Sequence, residues 1–101
     1  MTLGDHRPAT IHPGLLRTAQ RICEASADHA GLLNEPVLMS PTSRFSAAKH
    51  VAAGAMRAIG FTFNTIATVL GYTEVPTAVS ACSKADPSDV AAVLKAAGVK
   101  R

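Results

Sequence analysis

Thr62 to Lys84 reads TFNTIATVLGYTEVPTAVSACSK, and the glycine near its centre separates two helical patterns. Before Gly71, the residues Phe63, Ile66, Ala67 and Leu70 recur at three- and four-residue steps, the spacing of a single helical face. Thr62 stands where an N-cap hydroxyl accepts a backbone N–H, and Gly71 stands where helices end in left-handed backbone. Beyond the glycine, Val75, Ala78, Val79 and Cys82 set an inward face for a second helix running from about Glu74 or Pro76 to Lys84. Pro76 disfavours helical backbone at Val75, so this helix is expected to begin late. Two short helices joined by a glycine-containing turn form a helix-turn-helix, which fixes one helix in the core and leaves the outer face of the other free.

That outer face would present Thr73, Glu74, Thr77, Ser80, Ser83 and Lys84. Hydroxyls such as those of Thr77 and Ser80 donate to or accept from base edges and phosphates, and Lys84 can neutralise a phosphate. Asn64 falls in the first turn of its helix, where unpaired backbone N–H groups favour an anion; the alternative is a plain solvated polar residue. Tyr72, in the turn, either covers the edge of the core or stacks on a sugar or base.

Working outward, a helix is expected from His12 to about His29, with Leu15, Leu16, Ala19, Ile22, Cys23 and Ala30 inward and Gly31 closing it. Residues 1–10, with Gly4 and Pro8, read as a loose arm. The connector of residues 31–44 contains Pro36 and Pro41, and its Leu32, Leu33, Val37 and Leu38 are expected to tuck into the core. Ser46 is a good N-cap for a helix with Ala48, Val51, Ala52, Ala55, Met56 and Ile59 inward, stopped by Gly60. Asp86-Pro87 pairs an N-cap with a proline at the first helical position, and opens a last helix that runs to Ala97 before Gly98. Residues 99–101 read as a frayed tail. The expected architecture is all-α, a compact bundle of about five helices spanning residues 11–98 with a helix-turn-helix inside it.

Composition narrows the function classes. The 101 residues suffice for one domain, and alanine-rich apolar content with only four aromatics (one Tyr, three Phe, no Trp) predicts closely approaching helices. No apolar run is long enough for a membrane span, and MTLGDHRPAT is not a signal peptide, so a cytoplasmic location is expected. Cys23 and Cys82, inside apolar patterns, read as reduced core thiols. The four histidines, His6, His12, His29 and His50, lack metal-ligand spacing, and no nucleophile or paired-carboxylate pattern occurs; neither a metal, a cofactor nor an enzyme is expected. Charge is unevenly placed: from Arg44 to Lys84 the bases Arg44, Lys49, Arg57 and Lys84 face the single acid Glu74. An anionic partner should meet this middle region, with His50 offering a further phosphate contact or a plain surface histidine.

The order of elements is similar to the C-terminal DNA-binding domain, domain IV, of the bacterial chromosomal replication initiator DnaA. Its signature, Phe-Gly-Gly-Arg-Asp-His-Thr/Ser-Thr-Val followed by an apolar residue, a polar one, Ala-Cys and a Lys, aligns without gaps to LGYTEVPTAVSACSKA. Gly71, Thr77, Ala81, Cys82 and Lys84 match, and Lys49 replaces an arginine that enters the minor groove in that family. The likeness covers roughly residues 10–98, and it implies a Trp-repressor-like helix-turn-helix bound to double-stranded DNA. Where the family reads bases with Asp-His-Thr-Thr, this chain has Glu74, Val75, Pro76 and Thr77. Glutamate accepts from a cytosine amino group, valine touches a thymine methyl, and proline has no N–H to donate. Arg44 is the one base left in the loop SPTSR before Lys49-His50, and Thr62 and Asn64 would hold the DNA backbone. No GxxxxGK[ST] loop accompanies these residues, so ATP-driven origin opening is not expected of them. The resemblance implies a small regulator of replication or transcription, of phage or bacterial origin. The competing expectation is a degenerate helix-turn-helix that binds a protein and reads no bases.

Overall fold

The computed structural model describes residues 11–31 and 46–99. The expected arm at residues 1–10, the four apolar residues of the connector, Arg44 and the last two residues lie outside that range. The helices are α1 (Pro13–His29), α2 (Ser46–Ala58), α3 (Phe63–Leu70), α4 (Val75–Lys84) and α5 (Pro87–Ala96), and no strand occurs among the described residues. The all-α bundle of about five helices is therefore the observed fold class.

Local chemistry sets the helix ends. His12 caps α1, its Nδ1 accepting the Gly14 N–H at 3.0 Å. Thr62 caps α3 by accepting the Thr65 N–H at 3.1 Å, and Asp86 caps α5 by accepting the Ser88 N–H at 2.8 Å. Three helices close in the same way, with an N–H reaching back five residues: Phe61 to the Met56 carbonyl, Tyr72 to Ala67 and Val99 to Leu94, at 3.0, 2.9 and 3.0 Å. This closure needs left-handed backbone at the preceding residue, and Gly71 supplies it at φ +75°. Helix α4 has no side-chain cap: Glu74 occupies its N-cap position without bonding to the helix.

Helix α2 is the centre of the bundle and packs against the other four. It can do so because Ala48, Ala52, Ala53, Ala55 and Met56 are all buried, and small side chains let helix axes come close. Ile22, Ile66, Val69, Leu70 and Val93 fill the space around them, each stabilising the fold by about 1.5–3 kcal/mol through burial. A side-chain hydrogen bond fastens the periphery: His29 at the end of α1 meets Asp89 in the first turn of α5 at 2.8 Å. Both side chains are well exposed, so the contribution is small.

Several expectations are corrected. Val79 was placed inward but is 43% exposed, and Ala81 is buried in its stead. Helix α4 is thus rotated so that its smallest side chains, Ala78 and Ala81, meet the bundle. Leu15 is likewise exposed, at 46%, and Ala30 is exposed too. Val75 is the first residue of α4 despite Pro76, because the N–H that proline lacks would have no helical partner in a first turn. Helix α2 does start at Ser46, where its beginning is expected. Val99 packs partly against the core, held by its bond to Leu94, and is not frayed. Cys23 is buried, Cys82 half-buried, and both are free thiols. None of the described helices is long and apolar enough to cross a membrane.

Candidate nucleic-acid interface

The α3–α4 unit carries most of the expected site. Thr73, Glu74, Pro76, Thr77, Ser80 and Lys84 are exposed, whereas Val75 is half-buried. At 100° per residue, Pro76, Thr77, Val79, Ser80, Ser83 and Lys84 share one side of α4, with Ala78 and Ala81 opposite. The side-chain groups on this side are hydroxyls and one ammonium, interrupted by the apolar Pro76 and Val79. Part of the hydrogen-bonding capacity is spent locally, since the Ser83 hydroxyl donates to the Ser80 carbonyl at 2.7 Å. Its lone pairs remain free to accept.

The N-terminus of α3 forms a second group. The Thr62 hydroxyl caps the helix and also donates to the Thr65 hydroxyl at 2.9 Å, so its role is local first. Asn64 is exposed in the first turn, and its carbonyl accepts from the Thr68 hydroxyl at 3.0 Å. Beside them lies Arg57, a residue that sequence reasoning counted for charge but did not place in the site. Its Nη1 donates to the Phe61 carbonyl at 3.0 Å, and its guanidinium carbon stands 4.3 Å from the centre of the Phe63 ring. A cation is thereby held at the N-terminal end of α3, next to Thr62. The available signal was the spacing, an arginine followed by the Gly60 turn and aromatics four and six residues on.

Helices α2 and α4 bring a further pair together. His50 is half-buried, and its pKa is lowered by burial first and by the Lys84 ammonium second. The charge of Lys84 on α4 is thus felt by His50 across the α2–α4 seam.

Lys49 departs from the expected arrangement. Only 5% of it is exposed, and its ammonium sits 5.1 Å from the centre of the Tyr72 ring. Burial lowers its pKa, with the nearby Cys23 thiol pulling the other way. Lys49 is therefore a buried side chain set on the turn of the helix-turn-helix, and it does not project beside Lys84 and Arg57. Tyr72 is half-buried and packs against the edge of the core. Arg44 lies outside the described residues.

An open groove of about 330 Å³ runs between α1 and the α2–α3 turn, lined by Leu15, Ile59, Phe61 and Val99 among others. Its lining is mainly apolar and it holds no ionisable side chain. In comparisons with known proteins, the chain matches no family model, no curated protein and no solved structure.

Proposed function

We propose that this chain binds double-stranded DNA, with α4 in the major groove and the α3 N-terminus on the phosphate backbone. The observation that carries the reading is the division of α4: Ala78 and Ala81 are buried, while Thr77, Ser80, Ser83 and Lys84 share an exposed face. Arg57 and Lys84 supply phosphate contacts at the two ends of the unit, and Thr77 and Ser80 meet base edges. The resemblance to domain IV of the replication initiator DnaA supports the same reading and suggests a small cytoplasmic regulator of replication or transcription.

The test is fluorescence anisotropy on mixed duplexes across a salt series. Binding that weakens steeply with salt is expected, because each neutralised phosphate releases about one counterion. A protein that binds no duplex even at low salt removes the reading.

A second reading has its own support. Val79 and Leu15 are exposed, and the groove beside Leu15 is mainly apolar. In this alternative the helix-turn-helix packs against a protein and reads no bases. Affinity for a protein partner that survives Lys84→Ala but fails on Val79→Asp would favour it.

A further inference from the structure

Lys49 is the one charged side chain among the described residues that is buried. An ammonium is strongly hydrated, so a lysine is rarely found inside unless its position gives something back. The return here is a contact with an aromatic face: the ammonium stands over the Tyr72 ring at 5.1 Å, within the range where the ring quadrupole attracts a cation. Tyr72 follows Gly71, which ends α3, and precedes Thr73 and Glu74, which lead into α4. Its backbone N–H is already spent on the Ala67 carbonyl. The ring is therefore attached to the short segment that decides how α4 leaves α3. Lys49, in the first turns of α2, ties that segment to the central helix.

We propose that Lys49 is a positioning residue: through Tyr72 it sets the attitude of the α4 outer face toward double-stranded DNA, and it makes no phosphate contact itself. The inference rests on the DNA-binding reading given above. It separates cleanly from a direct contact, because a lysine on a phosphate carries about one unit of the salt dependence, whereas a lysine that acts through the fold carries none.

Tyr72 is the only tyrosine and the chain has no tryptophan, so its fluorescence reports on the turn alone. Four proteins would be compared: wild type, Lys49→Met, Lys49→Arg and Tyr72→Leu. Lys49→Met is expected to keep its helical circular dichroism, raise acrylamide quenching of Tyr72, and weaken duplex binding about tenfold with the salt slope unchanged. Lys49→Arg, which keeps a cation on the ring, is expected to restore binding. Tyr72→Leu is expected to weaken binding like Lys49→Met, and combining the two changes should cost no more than either alone. A salt slope lowered by about one in Lys49→Met overturns the proposal, as does unchanged affinity or an unchanged Tyr72 signal. If Lys49→Met does not fold, Tyr72→Leu decides, and wild-type binding by it overturns the proposal. A wild type that binds no duplex overturns the DNA reading together with the positioning role. A binding wild type with an unaltered Lys49→Met overturns the positioning role alone.

Discussion

A Cβ built on Gly54 would stand 2.6 Å from the Cβ of Ala85 and 2.9 Å from a methyl of Val90. Helix α2 meets the α4–α5 junction at this point with no room for a side chain. An alanine there gains about 1 kcal/mol in helix propensity but forces the junction open, and overpacking of this kind costs about 1–3 kcal/mol. Because the Ala85 Cβ cannot swing aside, the overpacking cost falls in the upper part of that range, about 2–3 kcal/mol, and Gly54→Ala should be destabilised by about 1–2 kcal/mol net of the propensity gain. A urea titration checks this; a variant about 1 kcal/mol more stable than wild type would mean that the helices part without cost.

Ser26 in α1 is 1% exposed, and its hydroxyl has no hydrogen-bond partner among the described residues. An unsatisfied buried hydroxyl costs roughly 1–3 kcal/mol, so Ser26→Ala should be at least as stable as wild type and is expected to gain about 1 kcal/mol. A lower melting temperature in the variant would show that the hydroxyl has a partner in solution.

Alkali should destabilise the fold. Burial, with Glu24 adding to it and Lys49 opposing, pushes the Cys23 thiol from 9.0 up to about 12. The folded pKa lies above the unfolded one, so the stability it supplies is complete below pH 9 and is lost as pH climbs toward 12, at roughly 1 kcal/mol per pH unit. Tyr72 and Cys82, also raised by burial, act in the same direction. Lys49 acts in the opposite one, since its lowered pKa favours the fold as pH rises. Denaturation at pH 8, 9 and 10 should show a falling trend that Cys23→Ala flattens; an unflattened trend would assign the loss to other groups.

His50 gives an acid-side test. Its folded pKa lies below 6.5, so stability is lost as pH falls from 6.5 toward the folded value, and His50→Gln should remove that loss. A phosphate placed beside His50 and Lys84 reverses the preference by favouring the charged imidazole. Duplex affinity of the wild type should therefore rise between pH 8 and pH 6 by more than that of His50→Gln. Equal pH profiles would exclude a phosphate from the seam.

Lys84 and Thr77 should fail differently. Lys84→Ala should weaken all duplexes alike and reduce the salt slope by about one. Thr77→Ala should alter preference at one base pair, by about 1–3 kcal/mol. Uniform weakening by Thr77→Ala would assign that hydroxyl to the backbone.

The ends of the helices were legible because they depend on neighbours in sequence. Thr62, Gly71, Asp86-Pro87 and Gly98 mark their own positions through caps and left-handed turns. The rotation of α4 was not legible. Val79 and Ala81 both fit a helical period with Val75 and Ala78, and the choice between them falls to packing against helices distant in sequence, where Ala78 and Ala81 are buried and Val79 is not. Lys49 was misplaced for a similar reason. Lysines are exposed by rule, and the ring that takes this one in lies on another helix's turn, far along the chain. Arg57 belonged to the local class, but its signal was read as net charge alone.

The alanine seat of α4 has a consequence for how this chain tolerates change. Ala78 and Ala81 are buried against the bundle, whereas positions 76, 77, 79, 80 and 83 face outward. A library randomised at those five positions should retain folded members in abundance, and one randomised at 78 and 81 should retain few beyond alanine, glycine and serine. Along ten residues the helix keeps its inherited part apart from its adaptable part, so new binding preferences could be selected here without first repairing the fold.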